Sequence, residues 1–142
     1  MAGSMPGKED FRLGRNYCIA VDDKSEAVRF VKRVLGAHAD AQCLMVTSSH
    51  PRKLTEDYGL KDIDVIWVTD EPSKELKSIQ PSRMKFELTK DLLSFVATKE
   101  NGVVFLEGIE YLILVNGFDA VLAFVKQIAD KTAARGHTLL VS

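Results

Sequence analysis

Apolar residues along this chain fall into short continuous runs separated by longer stretches with helical spacing. Five runs read as strands: Tyr17–Val21, Cys43–Thr47, Asp64–Thr69, Val103–Leu106 and Thr138–Val141. Continuous rather than alternating apolar character marks strands buried on both faces, as in a parallel sheet covered by helices. Between them, Ala27, Val28, Val31, Val34 and Leu35 keep helical spacing after Ser25, a capping residue, and before Gly36, a stop. Pro51 opens a short helix over Arg52 to Tyr58 that Gly59 closes. A second capped helix is expected from Thr89, through Leu92, Leu93, Phe95 and Val96 to Asn101-Gly102. Phe118 to Arg135 carries the clearest stripe, with Val121, Leu122, Val125, Ile128 and Ala129 apolar and Lys126, Asp130 and Lys131 facing out. Ile109 to Val115 reads as a helical turn, Lys85 to Leu88 as a short extended piece, and Asp70 to Ser82, with Pro72 and Pro81, as loop. The sum is an α/β three-layer sandwich on a mainly parallel five-stranded sheet.

Composition adds limits rather than a role. At 142 residues, 46% hydrophobic and 27% charged, the chain has the make-up of one globular domain. A net charge of -1 gives no electrostatic footprint for nucleic acid. The longest apolar stretch, Val103 to Val115, is interrupted by Glu107 and Glu110 and falls short of the roughly 20 residues of a membrane span. Residues 1–12 read as a polar tail whose Met1-Ala-Gly-Ser opening looks like a tag remnant, ahead of one domain over 13–142. Cys18 and Cys43 lack metal-ligand spacing and are expected to be free, buried thiols in a reducing cytoplasm. His38 and His137 are expected to face solvent, and Trp67 to lie in the core.

Chemistry would gather where the strands end. Val103–Leu106 runs straight into Glu107, where P-loop ATPases place a carboxylate that holds magnesium or polarises water. The favoured alternative is that Glu107 caps the following helical turn or packs there, and Glu110-Tyr111 can form a buried carboxylate–phenol bond or touch a partner. The first strand–helix junction, Val21-Asp-Asp-Lys-Ser-Glu26, has no glycine to bring backbone against phosphate, and Asp22 and Asp23 would repel a triphosphate. Asp22, Asp23 and Asp70 invite a phospho-accepting receiver reading, but Glu107 stands where receivers want Ser or Thr, and no lysine follows the last strand. Ser48, His50 and Asp22 make a hydrolase triad only on paper, since no nucleophile-elbow pattern surrounds a serine.

One stretch carries a resemblance: Val103-Val-Phe-Leu-Glu-Gly-Ile-Glu-Tyr-Leu-Ile113, followed by Asn116-Gly-Phe118. It resembles an archaeal family known as a domain of unknown function, DUF 835, over about Leu13 to Val141. Gly14-x-x-Tyr17, Thr47 to Pro51, Ile66-Trp67 and Gln127-Ile-Ala-Asp130 support it. The resemblance implies a degenerate relative of the RecA and KaiC ATPases, a RecA-like strand order 3-2-4-5-1 with the acid on strand 4, and a C-terminal segment beyond Ser142. It implies no established activity and no cofactor. The expectation is therefore a non-enzymatic module in archaeal signalling or regulation, with a protein partner or a second copy and no nucleic acid or membrane. Its candidate surface is Asp22, Asp23, Ser48, His50, Glu107, Glu110 and Tyr111. The alternatives are a residual nucleotide or anion binder using N–H groups at Ser25 or Ser48, and a receiver on Asp70.

Overall fold

A computed structural model describes residues 12–18 and 24–142. The tail expected over residues 1–12, apart from Arg12, lies outside the described residues. So do the end of the first expected strand and the two candidate acids Asp22 and Asp23. The strands are β1 Asn16–Cys18, β2 Gln42–Thr47, β3 Asp64–Val68, β4 Ser78–Ile79, β5 Gly102–Leu106 and β6 Thr138–Val141. The helices are α1 Lys24–Ala37, α2 Pro51–Tyr58, α3 Thr89–Thr98, α4 Ile109–Asn116 and α5 Phe118–Ala134.

The expected sheet of five strands in the order 3-2-4-5-1 is corrected: a sixth strand, absent from that expectation, lies at its edge beside β3. The sheet has six strands in the order β1-β6-β5-β2-β3-β4, and every neighbouring pair is parallel. The unforeseen strand, β4, comes from the segment read as loop. It is two residues long, too short to show any period, and it is held on β3 by Trp67 N–H to Lys77 O and Thr69 N–H to Ile79 O, both 3.0 Å. Burial of Ile79 supplies the apolar anchor. Pro81 does end the strand, opening a tight 3₁₀ turn over Pro81–Arg83.

Lys85 to Leu88 is likewise not extended. Met84–Leu88 forms a π-helical turn that runs into α3. Thr89 is therefore inside the helix and caps nothing; its N–H and its hydroxyl both reach Met84 O, the hydroxyl at 2.9 Å. The pattern that decides this is Met84, Leu88 and Leu92, spaced four apart and all buried. Their stripe overrides the local alternation and leaves Phe86 exposed.

β5 shows why its sequence is apolar throughout. Val104 and Leu106 pack with Leu44, Val46, Ile66 and Leu139 under α3, α4 and α5. Val103 and Phe105 pack with Cys43, Met45 and Leu140 under α1 and α2. Both faces of the sheet centre are thus dry, and all five β5 residues are buried. Edge strand β1 is tied down by Asn16, whose amide donates to Ala129 O at 3.2 Å and whose Oδ1 accepts from the Thr132 hydroxyl at 3.2 Å.

Two side-chain expectations reverse. Cys18, on the edge strand, is exposed; only Cys43 is buried, and burial, aided by the Asp64 charge, pushes its thiol up to about 12. His137 is buried rather than solvent-facing. Its Nδ1 accepts the Gly102 N–H at 3.1 Å and its Nε2 lies 2.8 Å from Val96 O, which fixes the Nε2–H tautomer. One imidazole thus joins the end of α3 to the starts of β5 and β6.

His137→Ala strands a buried N–H and a buried carbonyl and is expected to cost about 1–3 kcal/mol, read from the urea midpoint at unchanged slope. With dithionitrobenzoate at pH 8, one thiol per native chain is expected to react, and two after denaturation. Because the fold holds the Cys43 proton more tightly than the unfolded chain does, stability should be unaffected below pH 9.0 and decline as pH rises toward about 12.

Candidate functional site at the carboxyl edge of the sheet

The register of β2 on β5 pairs Val46 with Leu106, so Thr47 and Glu107 emerge side by side at the strand tips. The ladder continues one residue past β5. Glu107 N–H donates to Val46 O at 2.8 Å, and Ser142 N–H donates to Leu106 O at 3.0 Å. Glu107 is therefore held in line with the sheet and is only 8% exposed. Its Oε2 accepts a short hydrogen bond from the Thr47 hydroxyl, itself fully buried. The same hydroxyl oxygen accepts the Ser49 N–H at 3.0 Å, so both functions of Thr47 are used.

Gly108 then turns the chain. Its φ of +97° is a left-handed value, and a Cβ there would lie 3.0 Å from both the amide nitrogen and the hydroxyl of Ser48. Gly108 O starts α4 by accepting from Tyr111 N–H and Leu112 N–H at 3.1 and 3.3 Å. Gly108 is the capping residue of α4, with no side-chain cap bond. The expected helix-capping role of Glu107 is thereby replaced by its bond to Thr47.

His50 caps α2. It is exposed, its Nδ1 accepts the Arg52 N–H at 3.1 Å, its carbonyl accepts Lys53 N–H at 3.0 Å, and Pro51 occupies the first helical position. Its ring packs on Trp67 with centroids 4.7 Å apart and a 58° tilt. Trp67 is half-buried under that ring rather than sealed in the core.

On the β3 side, the Tyr111 phenol donates to Asp70 Oδ2 at 2.8 Å, joining α4 to the end of β3. That hydrogen bond holds the phenol above its ordinary range. The Asp70 carbonyl also accepts from Gln80 Nε2 at 3.3 Å. Glu110 is exposed in the first turn of α4, where negative charge suits the free N–H groups. Asn116 Nδ2 pins the other end of α4, donating to Pro81 O at 2.9 Å and Leu112 O at 3.0 Å.

The candidates thus divide. Glu107 and Ser48 meet at one seam, His50 sits on Trp67, Tyr111 engages Asp70, and Glu110 faces solvent. Thr47 and Gly108 complete the seam and were not among the expected site residues. Their signal in the sequence is weak, since nothing local reveals which strand lies beside the acid. Among the described residues, concavities lie elsewhere. One of 370 Å³ is lined by Lys99, Glu100, Asn101, Arg135, Gly136 and His137 at the amino ends of β5 and β6. Another, of 380 Å³, runs between β3 and α3 past Asp64, Val65, Lys77, Asp91 and Phe95. Among the described residues, no group of three or more His, Cys, Asp or Glu is placed to hold a metal ion, and no helix is long and apolar enough to cross a membrane.

A family model described as a protein of unknown function, DUF835, matches residues 21–142. That is most of the chain, and it includes the whole Glu107–Tyr111 seam. The chain belongs to the DUF835 family. No curated protein matches it.

Two substitutions probe the seam of this DUF835 domain. Thr47→Val removes the donor to a buried carboxylate and the acceptor of Ser49 N–H, and should cost about 1–3 kcal/mol. Gly108→Ala forces a Cβ against the Ser48 backbone at positive φ and should cost about 1–3 kcal/mol. Denaturant melts check both, and Glu110→Gln on the solvent side should leave the midpoint within about 0.5 kcal/mol of the parent.

Proposed function

We propose that this domain is a non-catalytic module that acts through protein contacts. The observation that carries the reading is the state of Glu107. The acid at the tip of the central strand is turned into the sheet, bonded to Thr47, and bordered by a glycine packed on Ser48. A magnesium-binding or water-polarising carboxylate needs an open side for its ligand. Here the side chain acts as a brace. The distant kinship with RecA and KaiC ATPases and the archaeal signalling setting implied by the resemblance belong to the same proposal. What supports the kinship is a parallel sheet with an acid following β5.

The two other readings find less support. The anion reading rested on the N–H groups at Ser25 or Ser48; beside Ser48, the Ser49 N–H is taken by Thr47 and the Arg52 N–H by His50, which leaves less of the α2 start for an anion. Asp70 is exposed, but its Oδ2 accepts from the Tyr111 phenol, a contact that phosphorylation of that oxygen would break.

The test is a thermal-shift titration with ATP, ADP and GTP, with and without magnesium. A ligand at 100 times its dissociation constant would stabilise the fold by about 2.7 kcal/mol. The expected outcome is a flat response at millimolar nucleotide. A concentration-dependent rise in Tm that Glu107→Gln abolishes would overturn the proposal.

A further inference from the structure

Large apolar side chains are exposed in one place more than elsewhere. Among the described residues, Leu114 at 81%, Val115 at 43%, Phe118 at 62% and Leu122 at 56% all fall between positions 114 and 122, with Phe86 the remaining case. They span the end of α4 and the first half of α5, across Gly117. Val121, Phe124, Ile128 and Thr132 turn the other side of α5 into the core. The outer side presents Asp119, Leu122, Ala123 and Lys126, all exposed and spaced i, i+3, i+4, i+7, which is one stripe of a helix.

That stripe is its own complement. It has an acid at one end, a base at the other, and Leu122 and Ala123 between them. Lay a second α5 antiparallel across a two-fold axis passing between Leu122 and Ala123. Asp119 then faces the second copy's Lys126, Lys126 faces the second copy's Asp119, and each Leu122 meets the small Ala123 of the other helix. A parallel arrangement would instead set Asp119 against Asp119. A two-fold axis puts the same patch on both sides of the interface, and this pattern meets that condition. Lys126 already reaches Asp130 in its own chain at 2.7 and 2.9 Å, so its ammonium lies on the outer side of α5. Leu114, Val115 and Phe118 are exposed in the chain just before the stripe and add apolar area that monomers rarely leave uncovered in quantity.

We infer that the occupant of this face is a second copy of the chain, joined as a two-fold dimer through antiparallel α5 helices. The inference rests on the protein-contact reading above and names its partner. It is tested by sedimentation equilibrium of the full chain, from low micromolar to several hundred micromolar. The expected result is a concentration-dependent monomer–dimer equilibrium that Leu122→Glu abolishes. Asp119→Lys and Lys126→Asp should each raise the dimer dissociation constant roughly tenfold, because each places like charges opposite one another. The double variant Asp119→Lys/Lys126→Asp should recover most of the parental affinity. Circular dichroism melts on the same samples show whether the exposed substitutions leave the fold intact. A monomer at every concentration, a dimer indifferent to Leu122→Glu, or a double variant as weak as its parents would each overturn the inference. A monomer that also ignores nucleotide leaves the protein-contact reading in place. A dimer stabilised by nucleotide removes that reading and keeps the dimer.

Discussion

A carboxylate that sits in an apolar environment needs a donor, and most of the upper edge of this fold follows from how Glu107 finds one. Leaving it unsatisfied would cost several kcal/mol. The parallel register of β2 on β5 brings the Thr47 hydroxyl beside it. That fixes the β2–α2 turn through Ser49 N–H, and Gly108 closes onto Ser48 only because the two strand tips end level. From Gly108, α4 leaves in a set direction, and Tyr111 and Asn116 tie its two ends to Asp70 and Pro81. One side-chain bond thus links β2, β5, α2 and α4, and its loss would be felt at each.

Strong periodicity was legible in the sequence and weak periodicity was not. β5 carries no polar side chain because both of its faces are covered, and α5 has one buried stripe about three turns long, so neither could be mistaken. β4 has two residues and owes its existence to the open edge of β3, a long-range fact that prolines on either side concealed. The π-helical turn was hidden by alternation in Lys85 to Leu88, and only the wider spacing of Met84, Leu88 and Leu92 gives it away.

The candidate site was legible in part for the same reason. That an acid follows β5 can be read from local order. Which neighbour binds it depends on a pairing sixty residues apart, and no local pattern carries that. His137 shows the same limit from the other side. A histidine between a glycine and a threonine looks like surface, yet the Gly102 amide and the Val96 carbonyl need a two-ended partner, and the imidazole supplies both ends. Cys18 was misplaced because edge and centre strands look alike until the sheet order is known.

α4 brings the two ends of the molecule's chemistry together. Its eight residues are Ile-Glu-Tyr-Leu-Ile-Leu-Val-Asn, apolar on nearly every side. A helix apolar all round belongs in an interior, yet only Leu112 is fully buried, while Leu114 and Val115 face outward. Its inner contacts are already satisfied by Tyr111, Leu112 and Asn116, so the outward residues are not needed to hold the helix in place. Leu114 and Val115 would cost little as polar residues in a free monomer. Their apolar character is explained if a neighbour covers them, and the charge order along α5 fits the second copy proposed above. On that proposal, the seam at Glu107 would set the direction in which α4 leaves the sheet and so the angle at which that face is presented.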